Sequence, residues 1–157
     1  MKVNVSNRQK SLSLDTKSVQ TVTKAALQLA NKRYDEVSLH FIEEEEICKL
    51  HDEYFDDPSP TDCISFPIDD DTDFGYLVLG DIFISPKAAI EFSSENNSNP
   101  YEELTLYLVH GLLHLLGKDD QTEAQRQEMR TLEKIYMDHL KSLDLSLKPK
   151  NNLNNNK

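Results

Sequence analysis

The chain has no apolar run approaching the roughly 20 residues that a membrane-spanning helix needs. Even Leu112–Leu116 is broken by His114. The first residues show no basic segment followed by an apolar one, so no secretory signal is expected and a cytoplasmic location is. Cysteine is scarce. Cys48 and Cys63 make no CxxC pair, and one possible bridge is not a framework, so free thiols are expected. Positive charge is also short: 17 Lys and Arg stand against 28 Asp and Glu, a formal net charge of −11. A net-acidic protein gains little from long-range attraction to phosphate, so any nucleic-acid binding must use a local basic surface.

The charge is unevenly spread. Asp35 to Asp81 holds 16 acids and one base, Lys49, whereas Met1 to Tyr34 holds seven bases and one acid. Taken alone, this composition argues against an RNA or DNA binder; if phosphate is bound, the contacts should come from the basic N-terminal region and the last helix. With 38% hydrophobic and 29% charged residues over 157 positions, the composition is that of one globular domain. The expected layout is a single domain over 1–147 and a disordered Asn/Lys tail over 148–157, which has nothing to bury.

Lys2–Val5 reads as a short strand, and Asp15 or Thr16 as the cap of a helix carrying Val19, Val22 and Ala26. Val37, Leu39 and Phe41 alternate with polar residues, the period of a half-buried strand. Glu43–Glu46 open a second helix, with Ile47, Leu50, His51 and Tyr54 on its inner face. Cys63–Phe66 and Leu77–Ile84 read as strands around an acidic loop, Asp69–Gly75. Ser85-Pro86 starts a helix that ends before a polar loop, Ser93–Pro100. The helix opened by Pro100 is apolar nearly all round and should be buried. A last helix from about Gln121 presents Leu132, Ile135, Tyr136, Leu140 and Leu143. This order predicts an α+β fold, a small mixed β-sheet packed with about five helices.

The chemistry is concentrated in His110-Gly111-Leu112-Leu113-His114-Leu115-Leu116-Gly117-Lys118-Asp119-Asp120. Histidines four residues apart lie on one face of a helix, so both imidazoles can converge on one ion. Gly117 can take the left-handed conformation that reverses the chain, bringing Asp119 or Asp120 back toward that ion. Two His nitrogens and one carboxylate oxygen at roughly 2.0–2.2 Å would bind zinc and leave a position open, as catalytic sites do. The plain alternative is that the two acids merely begin the last helix.

This segment resembles the active-site motif of the YbeY-type endoribonucleases, HGxLHLxGxDH, matched by His110, Gly111, Leu113, His114, Leu115, Gly117 and Asp119. Pro60-Thr61-Asp62-Cys63-Ile64-Ser65-Phe66-Pro67 is similar to that family's PTDVLSFP, and Leu79-Gly80-Asp81-Ile82-Phe83-Ile84-Ser85 to its LGDIxIS. The resemblance implies a metal-dependent enzyme with a central metal-binding helix of zincin-like character. The family's third histidine ligand falls on Asp120, so the implied metal set is His110, His114 and Asp120, with Zn2+ or another divalent ion as cofactor. An aspartate there makes the site harder and more tolerant of oxygen-loving metals. The family's arginine before PTD falls on Phe55, and Arg126, Arg130 and Lys118, the bases nearest the metal motif in sequence, are the candidates to replace it.

The implied function is a single-strand-specific endoribonuclease of 16S rRNA 3′-end maturation and ribosome quality control. Its implied partners are ribosomal RNA, the small subunit and ribosome-assembly proteins, with neither membrane nor DNA. His114 and Asp119 are the candidate catalytic residues, Asp119 through proton transfer or by supporting a ligand. Asp62 or Asp81 could orient a ligand histidine, whereas His40, His51 and His139 lack ligand spacing and read as structural. Gly111 stands where HExxH proteases keep their general base, which argues against peptide hydrolysis. Two other readings stay open: a ribosome-assembly binding factor with a largely structural metal, and a metal hydrolase or protease on another substrate.

Overall fold

The computed structural model describes residues 1–68 and 75–151. Nine elements follow one another: β1 (Lys2–Asn7), α1 (Thr16–Gln28), β2 (Glu36–Phe41), α2 (Glu44–Phe55), β3 (Cys63–Pro67), β4 (Val78–Ile84), α3 (Pro86–Asn96), α4 (Pro100–Leu115) and α5 (Glu123–Ser142). The strands form one mixed sheet in the order β1-β2-β4-β3, with β1, β2 and β4 mutually parallel and β3 antiparallel to β4. The α+β class, the small mixed sheet and the five helices are as expected. Apart from Gly75, the acidic loop expected at Asp69–Gly75 lies outside the described residues. Among the described residues, no helix is long and apolar enough to cross a membrane.

Local chemistry sets the helix starts. The Asp15 side chain caps α1, Ser85 caps α3 with Pro86 behind it, and Asn99 caps α4 with Pro100 behind it. Three expectations change. Helix α3 runs on to Asn96 because Ser93 is buried within it, and Asn97 then stops it in the left-handed conformation. Tyr54 is exposed rather than facing inward, as are Ile135 and Leu143 of α5, whose inner stripe instead includes Met129, Tyr136 and Leu140. Lys148 and Lys150 are tied down by their backbone amides, which donate to the hydroxyls of Ser18 and Ser13. The rest of the expected tail, from 152 on, lies outside the described residues.

The sheet separates two apolar clusters. Val37, Leu39, Phe41, Ile82 and Ile84 join α1, α4 and α5 in the main core, while Ile42, Ile47 and Ile64 pack with Phe66 and Phe83 in a smaller one beside α2. Alternation along each strand sends neighbouring residues to opposite faces. Helix α4 crosses β3 and β4 and is flanked by α3 and α5. Its Leu104, Leu108, Val109 and Leu112 are fully buried.

Helix α4 comes close to the sheet at Gly111. A Cβ there would stand 2.7 Å from Ile82 Cγ2, and the Ser65 hydroxyl donates to the Gly111 carbonyl at 3.1 Å. Ile82 is itself fully buried, so it has little room to yield. Gly111→Ala is therefore expected to lower stability in urea unfolding. The overpacking cost of about 1–3 kcal/mol opposes a helix-propensity gain of about 1 kcal/mol. An unchanged or raised midpoint would mean that the contact has slack.

Candidate metal centre

His110 and His114 lie one turn apart on α4, where the apolar helix reaches the edge of the core. Their rings are edge-on, with centroids 4.6 Å apart, and their Nε2 atoms approach to 3.0 Å. Each side chain is about one-quarter exposed, enough to open onto solvent from one side only.

Helix α4 ends in a Schellman turn: Gly117 (φ +96°) gives its amide to the His114 carbonyl and Lys118 gives its amide to that of Leu113. The reversed chain carries Asp120 back over the helix. Its Oδ2 lies 3.4 Å from His114 Nε2 and 3.6 Å from His110 Nε2. Donors about 2.0–2.2 Å from one tetrahedral ion stand about 3.3–3.6 Å from each other. The three observed separations, 3.0 to 3.6 Å, fit such an ion with small adjustment of the imidazole pair. Among the described residues, these are the only His, Cys, Asp or Glu side chains grouped closely enough to hold a metal.

Neither Asp119 nor Asp120 caps α5. Thr122 does, in a capping box with Gln125. Both acids are left to the cleft, where Asp119 is exposed and Asp120 half-buried.

Behind His110 stands Glu133 of α5, whose Oε2 lies 2.5 Å from His110 Nδ1. A carboxylate can only accept here, so Nδ1 carries the proton and Nε2 keeps its lone pair for the cleft. Burial pulls the His110 imidazolium down, but the hydrogen bond and charge of Glu133, with Asp62 and Asp120, more than offset it and leave His110 above the ordinary histidine value. Sequence reasoning missed Glu133. The signal was there, because Met129, Glu133, Tyr136 and Leu140 share one helical stripe, in which an acid needs a partner.

The two aspartates expected to orient a ligand do not. Asp81 bonds His40 at 2.9 Å, and Asp62 accepts the Cys63 amide at 2.7 Å while lining the cleft. His51, read as structural, also lines the cleft, with Nδ1–H donating to the Ser59 carbonyl at 2.7 Å. His139 stays apart from the triad, on the last turn of α5. The expected stand-ins for an arginine are engaged elsewhere: Lys118 with Glu128, and Arg126 and Arg130 with Glu123. The basic N-terminal segment builds β1 and α1, at the sheet edge opposite β3. Phe55 is on the cleft wall.

Residues 4–141 match the family model described as endoribonuclease YbeY. The chain belongs to the YbeY family. Among its relatives, the endoribonuclease YbeY of Protochlamydia amoebophila is 45% identical over 146 residues, covering 93% of this chain and 97% of that protein. The endoribonuclease YbeY of Chlamydia trachomatis serovar D is 38% identical over 147 residues, 92% of this chain and 91% of its own length. A Thermotoga maritima protein solved in solution shares the fold, with TM-score 0.61 and 22% identity over 88% of each chain.

Within this family member, Glu133 is tied to His110 by its hydrogen bond and charge. Glu133→Ala is expected to weaken divalent-metal affinity about ten- to hundredfold, measured by competition with a chromophoric chelator. Wild-type affinity in that variant would show that the His110 ring needs no help.

Proposed function

We propose that this chain is a metal-dependent endoribonuclease that cleaves single-stranded RNA. Its substrate would be ribosomal RNA of the small subunit in the cytoplasm, in 16S 3′-end maturation and quality control, with zinc as the ion. The carrying observation is the triangle of His110, His114 and Asp120 donor atoms in an open cleft, with Glu133 fixing the tautomer of one imidazole. Family membership supports the same reading, since the curated relatives are named endoribonucleases. A divalent cation held by these donors would polarise a phosphoryl oxygen and acidify water, which is the chemistry phosphodiester hydrolysis needs at neutral pH.

The chain's own groups supply the rest. Asp119, not needed as the cap of α5, lines the cleft as an exposed carboxylate and would take the proton of the attacking nucleophile. Asp62 adds negative charge that favours a cation beside His110. Position 111 cannot present the glutamate of an HExxH protease to the cleft, because any side chain there meets Ile82.

Purified protein is expected to cut unstructured RNA, to stop on chelation and to recover with zinc. His114→Ala should lose at least about a hundredfold in rate, and Asp119→Asn about 10²–10⁴-fold. Wild-type cleavage by His114→Ala would contradict the assignment. Co-sedimentation with small ribosomal subunits without any turnover would instead favour an assembly factor with a structural metal.

A further inference from the structure

The cleft beside the triad has an electrostatic problem. Its walls carry Asp62, Asp119 and Asp120, and among the described residues no Lys or Arg lines it. Phosphate pairing with basic side chains, the usual source of nucleic-acid affinity, is therefore missing where the bond is to be cut. With about 440 Å³ of space, the cleft is in the range that holds a small ligand. A substrate must be gripped there by something other than opposite charge.

Phe55 supplies another kind of contact. It is 57% exposed although it lines the cleft, so a large ring stands with open surface beside the triad. The ring is carried on a helix end rather than a loop. Asp56 takes the left-handed conformation (φ 55°) directly after it, and the Asp56 amide still bonds the Asp52 carbonyl. His51 backs the ring, with centroids 5.8 Å apart and planes tilted by 55°. His51 is itself held by the Ser59 carbonyl, and its side chain is only 19% exposed. The platform is thus supported on one side, leaving ring surface free.

We propose that Phe55 is a nucleobase-stacking platform: one unpaired base of the RNA lies on its ring while a neighbouring phosphodiester reaches the triad. The inference deepens the endoribonuclease reading and rests on it. Every base has a π-face, so such a platform is tolerant of sequence. A base inside a duplex already has both faces covered, so the same contact selects single strands. Stacking needs no positive charge, which suits an acidic cleft.

The chain contains no tryptophan, so Phe55→Trp installs a single indole at the platform, which can be excited selectively over the six tyrosines. With metal-loaded protein and a cleavage-resistant 2′-O-methyl phosphorothioate oligonucleotide, its emission should change saturably on binding, and an abasic oligomer of the same length should leave it unchanged. Phe55→Ala is expected to weaken binding and raise KM about ten- to hundredfold with little change in kcat, while Phe55→Tyr keeps wild-type values. Wild-type KM in Phe55→Ala, or equal responses to abasic and intact oligomers, would overturn the platform while leaving the nuclease reading intact. A wild-type protein that neither binds nor cleaves single-stranded RNA would overturn both.

Discussion

The site depends on a reversal of direction at the end of α4. A helix can bring two imidazoles onto one face, but it cannot bring a third donor from its own continuation, because each further turn moves 5.4 Å along the axis. Gly117 resolves this by leaving the right-handed region at φ +96°, and the paired hydrogen bonds of the Schellman turn hold the bend. Three residues later, Asp120 is back beside His110 and His114. No neighbouring atom comes near a Cβ built at Gly117, so the requirement there is one of backbone conformation rather than space. At Gly111 the opposite holds. Its conformation is ordinary for a helix, and it is the fit against Ile82 that keeps the position small.

Those two glycines tie the site to the core. Gly111 sets how deeply α4 sits on the sheet, and so where the His110 ring emerges at the edge of β3. Helix α5, packed against α4 through Met129, Tyr136 and Leu140, brings Glu133 to the back of that ring. A half-buried imidazole on an apolar helix is costly without partners, and here each ring nitrogen of His110 has one. Nδ1 meets Glu133, and Nε2 faces the other two members of the triad. Stability and chemistry draw on the same contacts.

Much of this was legible in the residues alone. The i, i+4 histidines, the glycine bend and the returning acid are local features whose geometry follows from the helix itself. The strand and helix order followed from apolar periodicity and from helix-start residues such as Asp15, Ser85 and Pro100. What was missed was non-local: the stripe marked Glu133 as an acid in need of a partner, but not which partner. Glu133 is 23 residues from His110, and only the packing of α5 on α4 joins them. Asp81 sits in one of the three family-like motifs, yet the strand turns it to His40. The capping role of Thr122 was hidden by two acids just ahead of it that looked equally able to begin α5. The charge map could not show that the basic segment folds onto the far edge of the sheet, leaving the cleft without Lys or Arg on its described walls.

The central claim is that His110, His114 and Asp120 hold one cation together. X-ray absorption on zinc-loaded protein tests it most directly. The account predicts one zinc per chain, with two imidazole nitrogens and at least one oxygen about 2.0–2.2 Å from the metal, and loss of one imidazole from the shell in His110→Ala. A shell of oxygens alone, or a wild-type shell in that variant, would contradict it.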